Sequence, residues 1–308
     1  MIEYAIETKN LTKKFKNEVA VNSMDMKVEK GKIYGLLGKN GAGKTTTMCM
    51  LLNLSAPTSG EIFLFGKPHN KNSNEIYSKV GSIIEVPGFY GNLSAFDNLK
   101  VFSKLSGNYD KHTIKEALKI VLLYDAKDKK FKNFSLGMKQ RLGIALAIMN
   151  NPEILILDEP INGLDPMGII EIRNLLKRLA HEFGTTIIIS SHILSEIEEI
   201  ADVIGVLNDG ILLEETSKED LHKKLDKYVD FKVSDIESAY RILSQSGLNE
   251  GIDFIVVGDD SIKLLTNLEY RYKINESFVK SGIKVEEINL CEESLEEYFT
   301  KLIEYGGV

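Results

Sequence analysis

The chain has 308 residues, 43% of them hydrophobic and 27% charged, with a net charge of −7 and two cysteines. This is the composition of a globular protein long enough for a large core and for two domains. It excludes a membrane-spanning helix, since no apolar stretch approaches the roughly 20 residues that one requires. Met1-Ile2-Glu3-Tyr4 also lacks the basic region and apolar block of a signal peptide. Cys49 and Cys291 have no metal-type spacing and read as thiols of a reducing cytosol. The charge sits in residues 216–308, which hold 12 Lys/Arg against 19 Asp/Glu. An acidic segment of this kind argues against nucleic-acid binding and against docking on an anionic membrane. It reads as a solvated face.

Residues 3–7 and 18–28 alternate apolar and polar side chains, as edge strands do. Gly31 turns the chain into residues 33–37, Ile-Tyr-Gly-Leu-Leu, an apolar run expected as a buried parallel strand. Residues 38–46 then read Gly-Lys-Asn-Gly-Ala-Gly-Lys-Thr-Thr, a complete G-x-x-x-x-G-K-[ST] phosphate loop. A helix is expected over 45–54, with Met48, Leu51 and Leu52 on its apolar face. Gly38, Gly41 and Gly43 let successive backbone N–H groups point at a triphosphate. The helix N-terminus adds partial positive charge. Nucleotide contacts are therefore expected along Gly38, Asn40, Gly41, Ala42, Gly43, Lys44, Thr45 and Thr46. Lys44 can reach the β- and γ-phosphates, and the Thr45 hydroxyl can ligate Mg2+.

Further on, residues 58–66 read as a hairpin arm and 80–86 as a strand. Ser94 opens a helix with Asp97 three residues on, a second helix is expected over 113–123, and a third follows Ser135. These make a helical insert, at about 94–150, within an α/β frame. The apolar run 154–157 is a strand covered on both faces, and Asp158 and Glu159 follow it. An acid at a strand end opposite a phosphate loop can hold Mg2+, and the next carboxylate can orient and deprotonate an attacking water. A helix over 168–183, a strand over 185–189, an acidic helix over 193–201 and a strand over 203–207 continue the alternation. Asn208-Asp209-Gly210 then makes a hairpin turn, and residues 216–227 leave the first domain as a helix or linker. The remainder reads β-α-β-β-α-β, the order of a ferredoxin-like unit: strands over 229–233, 253–257, 261–265 and 283–290, with helices over 234–247 and 268–281. The first of these helices starts with Ser234 and Glu237 as a capping box. A terminal helix presents Leu295, Tyr298, Phe299, Leu302 and Ile303 on one face.

Five segments together resemble the ATPase subunits of ABC transporters: the phosphate loop, residues 134–141 (Phe-Ser-Leu-Gly-Met-Lys-Gln-Arg), 154–160, 162–166 (Asn-Gly-Leu-Asp-Pro) and Ser190-Ser191-His192. The resemblance spans residues 1–215 and leaves 216–308 as an accessory domain. It implies a P-loop NTPase core with a helical subdomain and an antiparallel β arm, and a head-to-tail dimer holding two ATP at its interface. Each nucleotide would lie between one phosphate loop and the partner's Ser135 and Gly137, a helix start suited to a γ-phosphate. By the same resemblance His192 is the switch histidine, Asp165 the acid at the dimer interface, and Phe15 the ring stacked on adenine. Lys44, Glu159 and His192 would carry catalysis, and Thr45, Asp158 and Glu85 would hold Mg2+.

Two positions depart from the family pattern. Leu136 and Met138 stand in a signature that is usually Ser-Gly-Gly-Gln, and Glu85 stands where most members carry a glutamine. Glutamate followed by Pro-Gly-Phe-Tyr is similar to the ATPases of bacitracin and lantibiotic self-protection exporters. The resemblance therefore implies a cytoplasmic ATPase held at the inner face of the cell membrane by a separate permease, which would meet a groove formed by Glu85 and residues 94–123. A peptide antibiotic is the cargo it suggests, and no nucleic-acid partner is expected. The alternative is a soluble ATPase of the same superfamily in DNA repair or translation. Such proteins carry coiled-coil arms or a second cassette, and this chain has neither. A non-catalytic regulator ranks last, because Glu159 and His192 are both present.

Overall fold

Ile33–Leu37, Ile154–Leu157 and Thr186–Ser191 are buried at every residue, as strands covered on both faces must be. They lie side by side in one sheet with the order Val80–Ile83, Ile154–Leu157, Thr186–Ser191, Ile33–Leu37, Val203–Asn208 and Ile211–Ser217. All neighbours are parallel except the last pair. That pair closes through Asp209 and Gly210, whose φ values of 47° and 79° suit a two-residue hairpin that matches strand twist. In the computed structural model, residues 3–16, 18–69, 74–84, 88–107 and 109–305 are described.

A second sheet is built on Tyr4–Phe15, paired antiparallel with Glu18–Met24, Lys27–Glu29 and Ser59–Leu64. The strand is much longer than the alternation at 3–7 suggests. Its second half carries exposed Lys9, Asn10, Lys14 and Phe15, and its pairing shifts register there, so the apolar period is lost. Ile6, Leu11, Met24 and Val28 from this sheet pack with Tyr34, Leu36 and Ile188 of the first and with Met48 and Leu51 of the helix Lys44–Leu51. That helix ends three residues earlier than the pattern suggests.

The helical block comprises Ala95–Leu105, Lys111–Ile120 and Leu136–Ile148. Ser94 accepts the Asp97 N–H at 3.0 Å and caps the first. The second begins two residues before the expected 113, because Asp110 caps it by accepting the His112 and Thr113 N–H groups. Lys111 and His112 give no apolar signal of that start.

The chain divides into two units, Met1–Lys218 and Glu219–Val308. In the second, strands Lys227–Val233, Phe254–Val257, Ser261–Leu264 and Val285–Glu292 form an antiparallel sheet in the order second, third, first, fourth. Helices Ile236–Gln245 and Arg271–Lys280 connect them in the β-α-β-β-α-β order, which is ferredoxin-like. Val229, Phe231, Ile262, Ala239, Leu243 and Phe278 form its core. The expected capping box at Ser234 is replaced by a cap one residue later. Asp235 accepts the Ser238 N–H at 3.0 Å, while Ser234 accepts the N–H of distant Lys284 at 3.1 Å. Leu295 and Phe299 of the terminal helix Leu295–Tyr305 are buried.

Candidate active site

The carboxyl ends of three adjacent parallel strands bring the site together, the usual place for a ligand in an open α/β sheet. The central strand Ile33–Leu37 runs straight into the phosphate loop. Gly38 must be glycine here, since a Cβ would stand 2.4 Å from the Leu207 carbonyl oxygen. Gly43 has φ 107°, and a Cβ there would stand 2.4 Å from the Ala20 carbonyl oxygen. Lys44, only 5% exposed, curls back so that Nζ donates to the Gly38 carbonyl at 2.6 Å and the Lys39 carbonyl at 3.2 Å. The loop thus holds its own lysine along the path that phosphates take in such loops.

The strands Ile154–Leu157 and Thr186–Ser191 deliver the acids and the histidine. Asp158 Oδ2 accepts the Thr45 hydroxyl at 2.6 Å. Glu159 places Oε1 3.4 Å from Lys44 Nζ and Oε2 2.9 Å from His192 Nδ1. Lys44, Thr45, Asp158, Glu159 and His192, which lie up to 148 residues apart in the chain, therefore form one connected group. A carboxylate between a cation and an imidazole can take a proton from a bound water and pass it on.

Beside this group is a cavity of about 380 Å3, lined by Phe15, Asn40, Gly41, Gly43, Lys44, Thr45, Thr46 and Glu159, together with Glu18, Ala20 and Asn162. Phe15 is 49% exposed, and Lys13 Nζ sits 4.8 Å from its ring centroid. Glu18 and Ala20 carry no motif signal of their own, and Asn162, in the 162–166 segment, is not among the expected nucleotide contacts. Glu18 enters because it pairs with Phe15 across a hairpin. Asn162 enters because its N–H donates to the Glu159 carbonyl at 3.2 Å.

Ser135, Gly137 and Asp165 do not line this cavity. Ser135 caps Leu136–Ile148, accepting the Met138 N–H at 3.3 Å. Asp165 caps Pro166–His181, accepting the Gly168 N–H at 3.1 Å. A Cβ placed on Gly137 would meet only Leu164, at 4.0 Å. Glu85 lies outside the described residues.

For a divalent ion, Thr45 and Asp158 offer a hydroxyl and a carboxylate converging within 2.6 Å. An all-oxygen set of this kind suits Mg2+, which takes one or two protein oxygens and fills its shell with water and phosphate. Among the described residues no three His, Cys, Asp or Glu side chains are placed to hold a metal ion together.

Comparison with known proteins places this geometry in a family. A family model described as ABC transporter matches residues 21–162. The chain is 53% identical over 308 residues to the bacitracin transport ATP-binding protein BcrA of Enterococcus faecalis, covering 100% of this chain and 99% of that one. It is 47% identical over 210 residues to the lantibiotic transport ATP-binding protein SrtF of Streptococcus pyogenes, covering 68% of this chain and 90% of that one. The chain belongs to the ABC transporter ATP-binding proteins. Among solved structures it resembles CbiO1 of Clostridium perfringens, part of the ABC transporter complex CbiONQ, with TM-score 0.66, 25% identity and coverage of 79% and 96%. It also resembles a dimeric ATP-binding cassette in a post-hydrolysis state bound to ADP and Pi, with TM-score 0.61, 26% identity and coverage of 69% and 98%.

As an ABC ATPase the chain binds ATP and hydrolyses it in the service of transport. The full-length likeness to transport proteins favours this over a soluble repair or translation ATPase. No helix among the described residues is long and apolar enough to cross a membrane. The departures from the family signature stay compatible with the helix start that an anion needs. Leu136 and Met138 both lie in the first turn of Leu136–Ile148, and the Leu136 side chain is directed outward at 49% exposure.

Proposed function

We propose that this chain is the ATP-hydrolysing subunit of an exporter that clears a bacitracin-like peptide antibiotic, working with a separate membrane permease that holds it at the inner face of the membrane. The supporting observation is that its likeness to BcrA runs through the C-terminal unit as well as the cassette. The likeness to the lantibiotic protein covers 68% of the chain.

In this reading the phosphates of ATP lie along residues 38–46, with Lys44 neutralising the β- and γ-phosphates and Phe15 stacking on adenine. Thr45, Asp158 and Glu85 hold Mg2+, which supplies charge neutralisation on the phosphates. Glu159 takes the proton of the attacking water while His192 orients it, the role that their 2.9 Å contact supports. Ser135 and Gly137 complete the site of a second copy, and Asp165 lies at the interface between copies. Two nucleotides thus join two subunits, and hydrolysis releases them.

Expressing the chain with its permease in a bacitracin-sensitive host tests the cargo. Resistance to bacitracin that disappears with Lys44→Ala supports the reading. Unchanged sensitivity to bacitracin, with resistance to a lantibiotic in its place, would reassign the cargo.

A further inference from the structure

Ser190 is fully buried in the strand Thr186–Ser191, directly after Thr and three Ile. A hydroxyl in such a place is costly unless its hydrogen bonds are made. Here both are. Oγ accepts the Glu159 backbone N–H at 2.8 Å, so its own proton goes to Asp158 Oδ1, 2.5 Å away. Asp158 Oδ2 is meanwhile taken by the Thr45 hydroxyl.

One side chain therefore fixes two groups. It sets the rotation of the Asp158 carboxylate, and it anchors the Glu159 peptide. Glu159 has φ 48°, a left-handed conformation that a residue with a side chain adopts only when its surroundings impose it. Holding that peptide fixes the direction in which the Glu159 side chain leaves the backbone, towards Lys44 and His192. Ser191 cannot take over the task. It faces the other side of the strand, where its Oγ donates to Glu196 at 2.8 Å and accepts the Ile193 N–H at 3.0 Å.

We propose that Ser190 is a positioning residue for ATP hydrolysis, aligning Asp158 for the metal and Glu159 for the attacking water through a single hydroxyl. The inference rests on the roles given to Asp158 and Glu159 above.

The test uses the full chain carrying Ser190→Ala, with Asp158→Asn and Glu159→Gln as references. Titration with a fluorescent ATP analogue, with and without Mg2+, reads metal coupling, and phosphate release reads turnover. Ser190→Ala is expected to bind Mg2+-free nucleotide as the parent does. It should need about 10-fold more Mg2+ for half-maximal binding and lose about 10- to 100-fold in kcat, as changes behind a metal ligand do. Ser190→Cys, similar in shape but a weak hydrogen-bonding group, should fall between, and it gives the reading if the alanine variant does not fold. Equal weakening with and without Mg2+, or parent-like values in both assays, would overturn the proposal. If Asp158→Asn and Glu159→Gln still lose metal coupling and turnover respectively, only the Ser190 inference fails. If they too behave as the parent, the reading of the site itself fails.

Discussion

The two halves proposed for the nucleotide site are built on opposite principles. On the phosphate-loop side, polar groups from distant parts of the chain are tied to one another: Thr45 to Asp158, Asp158 to Ser190, Ser190 to Glu159, and Glu159 to Lys44 and His192. On the signature side, Ser135 and Asp165 each accept an N–H from the first turn of their own helix. The first half is a network with its geometry already set. The second is a pair of capped helix starts that do not line the cavity. The difference teaches that chemistry and assembly are separable. In the proposed reading one subunit carries the base and the cation, and a second copy supplies a further set of anion donors.

The largest expected effect breaks the network at its base. Glu159→Gln should lower phosphate release by about 10²- to 10⁴-fold, the range typical of a positioned general base, while ATP affinity measured by nucleotide titration stays near that of the parent. Next comes Ser135→Ala on the other half. It removes a cap of about 1 kcal/mol and the proposed γ-phosphate donor, so ATP-driven dimerisation should weaken while the monomer's own ATP affinity is kept. A matching loss of monomer affinity in the same titration would show that the two halves are not separate.

Phe15→Ala should raise KM for ATP about 2- to 10-fold, since a ring stack contributes roughly 0.5–1.5 kcal/mol, with kcat unchanged in steady-state assays. The smallest effect should come from Met138→Gln, which restores the usual family residue. Turnover is expected to stay within about twofold of the parent, because either side chain keeps the backbone N–H that the Ser135 cap holds. A large gain would mean that the signature had been weakened in this chain.

The motif half of this picture is legible in the residues because its constraints are local. The glycines at 38 and 43 are demanded by backbone within 2.4 Å, and the apolar runs at 33–37 and 154–157 announce strands buried on both sides. Less legible is whatever depends on a partner far along the chain. Ser190 sits in a recognisable Ser-Ser-His segment, yet its work is done on residues 31 and 32 positions away. Ser234 looks like a helix cap until Lys284, 50 positions on, claims its hydroxyl and leaves the capping to Asp235. Asp110 caps a helix whose first residues are polar and give no periodic signal. Glu18 reaches the cavity only through hairpin register.

If ATP completes a site shared by two copies of the chain, nucleotide alone should change the mass of the protein in solution. Light scattering on a sizing column, run with Glu159→Gln so that nucleotide is not consumed, tests it most directly. A monomer is expected without nucleotide and a dimer with MgATP. A variant that binds ATP at parental affinity yet keeps the monomer mass would contradict it.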